Sequence, residues 1–327
     1  MARNLMRAAQ YSKYGGGVAD LKVVEVPVPT PGKDEVLIKV EAASINPIDW
    51  RLQSGYARPF LPRKFPHVPG IDAAGEIVQV GSEVKSFKAG DKVVTALGNG
   101  GALAEYAVAK EVSTASRPPE VSAAEAAALP IAGLAAHQSL TQNAGLKLDG
   151  TDPKINLLVT AASGGVGTYV VQLAKLANAH VTATCGARNM GLIKSLGADE
   201  VIDYKTPDGK VAKSPSGLKY DTVIHCTTST PWSTFQASLT PNAKVVDTTP
   251  GLGIMMSIAL KKLTFSKQQI STVFTAPKKE NLEFLVKLVK EGKLKPVIDS
   301  KYPLSNVGEA WAKSMDGHAT GKIIVEP

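Results

Sequence analysis

Residues 155–167 read Ile155-Asn-Leu-Leu-Val-Thr160 and then Ala161-Ala-Ser-Gly-Gly-Val-Gly167. The first six form a short apolar run of strand character. The next seven are small apart from Val166, and a helical stretch, 168–176, follows directly. Ala162, Gly164 and Gly167 fall at the three small-residue positions of G-x-G-x-x-G, with Ser163, Gly165 and Val166 between them. Small residues are needed there because the backbone must turn tightly, lie close to a pyrophosphate and let helix pack on strand. The phosphates then face the positive N-terminus of the helix. A bare glycine motif is a weak signal. The strand before it, the helix after it and a second strand at 180–184 make it a dinucleotide fingerprint rather than a flexible turn.

The end of that second strand selects the nucleotide. An acid there binds the ribose 2′-hydroxyl of NAD. This chain instead reads Thr184-Cys-Gly-Ala-Arg-Asn189, with no acid and with Arg188. A guanidinium fork pairs with a 2′-phosphate, so the expected cofactor is NADPH. The competing reading of Arg188 is a solvated cation at a helix start.

Working outward, strands are expected at 155–160, 180–184, 201–204, 222–226, 244–247 and 271–275, with helices at 166–177 and 190–196. Alternating βαβ units imply a doubly wound parallel sheet. Upstream, short runs at 21–26, 35–41, 75–80, 92–95 and 103–108 are punctuated by Gly and Pro, which suits a compact β-barrel-like domain. Ser122 followed by Glu125 is a capping box opening a helix at 123–129, and a further helix is expected at 133–142. Downstream come an amphipathic helix carrying Leu282, Leu285, Val286, Leu288 and Val289, another near 307–314, and a last strand at 322–325. The expected fold class is α/β. The domains run 1–124 for the β-rich part, 125–275 for the Rossmann part, and 276–327 for a segment returning to the first.

Composition narrows the function. A chain of 327 residues exceeds what one core ordinarily serves. At 44% hydrophobic and 20% charged it has the makeup of a globular protein, not a disordered one. Two cysteines, Cys185 and Cys226, make neither a disulfide framework nor a cysteine-built structural zinc site. Both read as buried small residues. The histidines His67, His137, His180, His225 and His318 are dispersed and no H-E-x-x-H occurs, so no metal is expected. His137 reads as a packed core residue. The net charge of +8 is scattered, with short pairs such as Lys261-Lys262 and Lys278-Lys279. No finger spacing or RNP motif accompanies it, so no nucleic-acid partner is expected. A basic surface suits peripheral contact with an anionic membrane. No stretch is apolar enough to span one, and no apolar run follows Arg3 and Arg7 as a secretory signal requires. Gly317-His-Ala-Thr-Gly-Lys322 mimics a P-loop, but is one residue short and followed by Ile323. Tyr106-Ala-Val-Ala-Lys110 has the spacing of a short-chain dehydrogenase pair but precedes the glycine loop, so Tyr106 reads as structural.

Several stretches carry a family resemblance. They are Ala43-Ser-Ile-Asn-Pro-Ile-Asp49, Val68-Pro-Gly-Ile-Asp-Ala-Ala-Gly75, Val84-Lys-Ser-Phe-Lys-Ala-Gly-Asp91, the loop 161–167, Leu196-Gly-Ala-Asp199 and Ala319-Thr-Gly-Lys322. Together they resemble the zinc-free quinone oxidoreductase branch of the medium-chain dehydrogenase/reductase superfamily, over nearly the whole chain. Phe60-Leu-Pro-Arg-Lys-Phe65 and the stretches 182–189 and 316–327 resemble the plant chloroplast-envelope group within that branch. The resemblance implies a GroES-like β-barrel catalytic domain beside the Rossmann domain. It implies NADPH-dependent hydride transfer, without zinc, to enones, oxidised-lipid ketols or quinones. It further implies peripheral attachment to the chloroplast envelope, with the cytoplasm as the alternative, and a monomer or homodimer.

By the same resemblance, Asn46 and Tyr56 are the hydrogen-bond donors to the substrate. Arg188, Tyr204 and Lys322 join Ala162, Ser163, Gly164, Gly165, Val166 and Gly167 in holding NADPH. Asn46 also reads as a turn amide before Pro47, Tyr56 as a packing aromatic and Tyr204 as a strand-end aromatic. Zinc members carry a cysteine and a Gly-His-Glu motif where this chain has Asn46 and Pro66-His-Val-Pro-Gly70. One departure is Ala135, in Gly133-Leu-Ala-Ala136, where the branch often has a threonine beside the nicotinamide. The glycine-rich stretch Gly98-Asn-Gly-Gly101 reads as a lid or a turn. No acid or base side chain stands out, so the closing proton is expected from water. The competing class is an NADPH-binding, membrane-associated protein with little or no turnover.

Overall fold

The computed structural model describes residues 4–58, 61–228, 230–249, 251, 255–256, 258 and 267–327. Phe60 and the Lys261-Lys262 pair lie outside the described residues. The chain divides into two units: Met1–Ala132 with Pro277–Pro327, and Gly133–Ala276.

The first unit opens with the antiparallel pair β1 (Leu5–Gln10) and β2 (Lys22–Pro27). Its main sheet contains β3 (Glu35–Ile45), β4 (Asp72–Val80), β5 (Lys92–Ala96), β6 (Tyr106–Lys110) and β7 (Thr114–Ser116). β3 runs on past the expected end at 41, because Ala42, Ala43, Ser44 and Ile45 are buried on both faces between β4 and the last strand of the chain. Periodicity does not mark such a stretch. The core gathers Ile38, Ile77, Val93, Leu97, Leu103 and Trp311. Trp311 is wholly buried, and its indole N–H donates to Gln53 Oε1 at 3.1 Å. It sits on the helix Val307–Asp316, which ends on Gly317 in the left-handed region (φ 75).

The helix Ala123–Ala127 is capped as expected, Ser122 Oγ accepting the Glu125 N–H and the Glu125 carboxylate accepting the Ser122 N–H. The domain boundary expected at 124/125 cuts through this helix. The structure sets it in the first unit, where Ala124, Ala126 and Ala127 are buried and the helix packs on β3 and β4. Alanine patterning says that a face is buried, not against which sheet. The following helix, Pro130–Gln138, begins earlier than expected and passes into a wider π turn at Ser139–Asn143.

The second unit comprises β8 (Asn156–Val159), β9 (His180–Cys185), β10 (Glu200–Asp203), β11 (Tyr220–His225), β12 (Leu239–Asp247) and β13 (Gln269–Thr272). All pair in parallel, in the order β10-β9-β8-β11-β12-β13. Successive strands step one way to β10 and then the other way from β11. That reversal is the dinucleotide-binding topology, with its switch point between β8 and β11. β14 (Ile298–Pro303) and β15 (Lys322–Glu326) return to the first unit, β15 pairing antiparallel with β3.

The glycine loop sits between β8 and the helix Gly165–Leu176. A Cβ on Gly167 would meet the Ala161 carbonyl oxygen at 2.5 Å and Ala162 Cα at 2.6 Å. At Gly164 it would meet only the Ala161 oxygen, at an ordinary 3.4 Å. Gly167 is therefore required by the close approach of the helix to the backbone of the turn before it, whereas Gly164 leaves space outside the loop. Overpacking costs about 1–3 kcal/mol. Gly167→Ala is expected to lose about that much stability in equilibrium urea unfolding, with Gly164→Ala unfolding like the parent.

Candidate active site

Two constellations stand out, one in each unit. In the first, sheet register does the assembling. Ser44 pairs with Asp72 across β3 and β4, and Ile45 pairs with Ile323 across β3 and β15. The next residue outward on each strand is then Asn46 on one and Lys322 on the other. Gly321 makes the close entry to β15 possible. Its φ is 83, and a Cβ there would meet the Val297 carbonyl oxygen at 2.1 Å.

The four side chains at this point are almost waterless: Asp72 is 0% exposed, and Asn46, Asp49 and Lys322 are each 3%. Asp72 Oδ2 accepts from Ser44 Oγ at 2.8 Å and from Asn46 Nδ2 at 2.8 Å, and lies 3.5 Å from Lys322 Nζ. Its other oxygen accepts the Ile131 N–H at 3.1 Å. Lys322 Nζ donates to Asn46 Oδ1. Asn46 is thereby orientated on both sides, its oxygen toward the ammonium and its nitrogen toward the carboxylate. One Nδ2 hydrogen is left beyond the bond to Asp72.

Asn46 also caps the helix Pro47–Ser54. Its N–H donates to Asp49 Oδ2 at 2.8 Å, and the Asp49 N–H donates to the Asn46 carbonyl at 3.0 Å. Burial pushes the Asp49 carboxyl up to about 7, with Asp72 adding repulsion; the bond from Asn46 and the charges of Lys322 and Arg63 oppose the rise. Burial holds Lys322 below the ordinary lysine range, against the pull of Asp72 and Asp49. Sequence reading missed Asp49 and Asp72, although both stood in the quoted motifs. The available signal was the spacing of Asp49, three residues after Asn46, which is that of a capping box.

Tyr56, just past the left-handed Gly55 that ends this helix, is 57% exposed. His67 is driven down to about 4 by burial and then by Arg63. No group of three or more His, Cys, Asp or Glu able to hold a metal occurs among the described residues.

The second constellation lies at the C-terminal ends of β8, β9 and β10. The helix Gly165–Leu176 has Gly164 at its N-cap and no side-chain cap. Its first-turn N–H groups therefore lack an intrahelical partner and suit an anion. The turn is drawn tight: Ala161 is left-handed (φ 47), Gly164 N–H donates to the Ala161 carbonyl at 3.0 Å, and Ala162 N–H donates to the Thr184 carbonyl at 2.8 Å. Ala162 is wholly buried and Ser163, Gly165 and Val166 are half-buried. These features fit a dinucleotide pyrophosphate.

Beside the loop, β9 ends at Cys185 and continues through Gly186 to the exposed Arg188. The Tyr204 ring, 45% exposed, lies 3.5 Å from the position of a Cβ on Gly186, and Lys205 Nζ stands 5.9 Å from its centroid. Lys205 is a second cation that the sequence reading overlooked. Asp203, opposite Cys185 on β10, accepts the Lys205 N–H at 3.0 Å. Arg188 and Tyr204 thus follow β9 and β10 in the second unit, while Lys322 lies in the first unit and donates to Asn46. Ala135 is buried, at 5% exposure. Burial drives the Cys185 and Cys226 thiols up to about 11 and about 12, so neither is a thiolate at neutral pH.

Comparison with known proteins follows these lines. Residues 32–119 match the alcohol dehydrogenase GroES-like domain, and residues 196–325 match a model described as zinc-binding dehydrogenase. The chain is 65% identical to the chloroplast envelope quinone oxidoreductase homologue of Arabidopsis thaliana, over 100% of both chains. The chain belongs to the medium-chain dehydrogenase/reductase superfamily. Its members are nicotinamide-dependent oxidoreductases, and this chain falls with the quinone oxidoreductase homologues. It is also 34% identical to the 2-methylene-furan-3-one reductase of Solanum lycopersicum, over 98% of this chain and 79% of that one. The solved quinone oxidoreductase of Coxiella burnetii superposes with a TM-score of 0.87 at 31% identity, covering 99% of this chain and 100% of the other.

Two expectations follow from the buried charges. Lys322→Met strands the Asp72 carboxylate without its cation, which costs about 3–5 kcal/mol in comparable buried pairs; urea unfolding should show a loss of that size. Asp49 is raised from the unfolded range near ~4 to about 7, so its contribution is fully present below the unfolded value and is lost as pH rises through 7. Asp49→Asn keeps an acceptor for the Asn46 N–H and has no such charge to bury. The variant's melting temperature, relative to the parent, is expected to rise between pH 5 and pH 8.

Proposed function

We propose that this protein is an NADPH-dependent reductase that delivers hydride to conjugated carbonyls or quinones without zinc. The observation that carries the reading is the glycine loop at the start of an uncapped helix, with Arg188 and no acid following β9, and with Tyr204 and Lys205 after β10, where Asp203 Oδ1 accepts the Lys205 N–H. Residues 162–167 would hold the pyrophosphate through backbone N–H groups and the helix terminus. Arg188 would take the 2′-phosphate by its planar fork, with Tyr204 and Lys205 beside it. When bound, the dihydronicotinamide supplies the hydride.

In the first unit, Asn46 is the proposed donor to the substrate's developing enolate oxygen. A donor already held by Asp72, Lys322 and Asp49 need not reorganise as charge develops, which is the condition for effective electrostatic stabilisation. Tyr56 is the second proposed donor. The closing proton on the α-carbon comes from water, so an enone leaves as the saturated ketone, two hydrogens heavier. Substrates named for relatives, a quinone and a methylene-furanone, share a conjugated carbonyl that accepts hydride and becomes an oxyanion. A peripheral place at the chloroplast envelope fits the relatives' names, the net charge of +8 and the lack, among the described residues, of a helix long and apolar enough to cross a membrane.

The test is consumption of reduced nicotinamide, with NADPH and NADH in parallel, against quinones and enones of graded length, with EDTA present. EDTA-insensitive NADPH turnover and a ketone product two hydrogens heavier are expected. Arg188→Ala should raise the KM for NADPH about 10- to 100-fold, the worth of a charge-assisted hydrogen bond, and leave that for NADH nearly unchanged. Binding of NADPH with no turnover on any acceptor would favour a nucleotide-binding, membrane-associated protein instead.

A further inference from the structure

Ligands of open α/β sheets bind outside the carboxyl ends of the strands, where the strand order reverses. Here that place lies between β8 and β11. A side-chain hydrogen bond crosses it, joining Thr160, which follows β8 and leads into the glycine loop, to His225, the last residue of β11.

The protons in this bridge can be assigned from their partners. Thr160 Oγ1 accepts the Cys226 N–H at 3.0 Å, so its own hydrogen is available to His225 Nδ1, 2.9 Å away. Nδ1 is then the acceptor, and the ring carries its hydrogen on Nε2, which donates to the Thr230 carbonyl at 2.8 Å. The Thr160 N–H donates to the Ile224 carbonyl at 3.2 Å. The Phe235 ring meets the imidazole edge-on at 5.3 Å, and Thr160 and His225 are 5% and 2% exposed. Burial keeps the ring neutral against the attraction of Asp247, whose Oδ1 is occupied by the Thr249 N–H and hydroxyl.

The residue after Thr160 is Ala161, left-handed at φ 47. A non-glycine residue holds such a conformation only where its surroundings over-determine it. Thr160 is clamped through its N–H and its hydroxyl, which fixes the chain entering the strained turn. An imidazole has a nitrogen on each side of its ring, so one residue can brace the strand end against the connection that follows β11.

We propose that His225 is a positioning residue of the dinucleotide site: by bridging Thr160 to the Thr230 carbonyl it holds the entry to the glycine loop in its binding geometry and thereby sets cofactor affinity. This rests on the reading of the loop as an NADPH site. No role in the reacting atoms is assigned to it.

The experiment is calorimetric titration of the full chain with NADPH, alongside its melting temperature without nucleotide. The chains compared are the parent, Thr160→Val, Thr160→Ser, His225→Gln and His225→Asn. Valine keeps the shape of threonine and removes the hydroxyl, whereas serine keeps the hydroxyl. Glutamine keeps a donor for Thr230 only, and asparagine an acceptor for Thr160 only. Thr160→Val and His225→Gln are expected to weaken NADPH binding about ten-fold, as the loss of one buried hydrogen bond does. Thr160→Ser should restore parental affinity, and His225→Asn should fall between. Lowered melting temperatures with parental Kd values in both weakened variants would overturn the proposal and leave His225 a packing residue. Failure of the parent chain to bind NADPH would overturn the nucleotide reading, and this proposal with it.

Discussion

An ammonium removed from water has to find anions or lone pairs, and Lys322 finds both on one spot of the sheet. The contact joins three distant stretches: Asn46 just past β3, Asp72 at the start of β4, and Lys322 at the start of β15. None of the three is satisfied without the others. Asp72 without the ammonium is a bare buried carboxylate, and Lys322 without Asp72 is a bare buried cation; each is far costlier than the pair. The return of the C-terminal segment to the first unit is therefore coupled to the orientation of Asn46. Stability and the aim of the proposed donor depend on the same contacts. Asp49, carried near neutrality by burial, sharpens the dependence, because it supports the Asn46 backbone at the same place.

On the proposed reading the second unit solves a different problem, that of holding a polyanion without burying a counter-charge. It relies on backbone N–H groups at an uncapped helix end, with side chains kept clear by small residues. The constraints on those small residues are not alike. Gly167 answers to the protein, since the backbone of Ala161 and Ala162 lies where its side chain would be. Gly164 answers to whatever lies outside the loop. Ala161, an ordinary residue in an unusual conformation, carries the strain of the turn, and the Thr160–His225 bridge stands immediately before it.

Much of this could be read from the residues. The doubly wound sheet followed from apolar runs spaced by helices, and the loop from its small residues in that setting. Arg188 was proposed from the rule that the second strand chooses the nucleotide, and Tyr204 from family resemblance. What was missed shares a physical cause. Asp49 and Asp72 were in view as letters, but a solvated acid and a buried one look the same in a chain, and Lys205 gains its meaning only from the Tyr204 ring beside it. His225 looked dispersed because Thr160 meets it only through the pairing of β8 with β11, and Thr230 only through the path of the chain just after β11. That Lys322 is bonded to Asn46 and stands beside Asp72 was likewise not legible, because both lie far from it in the chain.

The sequence by itself determined local matters: the periodicity of strands and helices, the capping boxes, and the turns that only glycine or another small residue can make. It also determined the family, because motifs of fixed spacing persist along the whole chain. The tertiary structure alone decided which ionisable groups lose their water, and so which carboxyl is pushed up and which ammonium is pushed down. Charge state is a property of surroundings, and surroundings here are set by strand register, which brings residues 46, 72 and 322 together across hundreds of intervening positions.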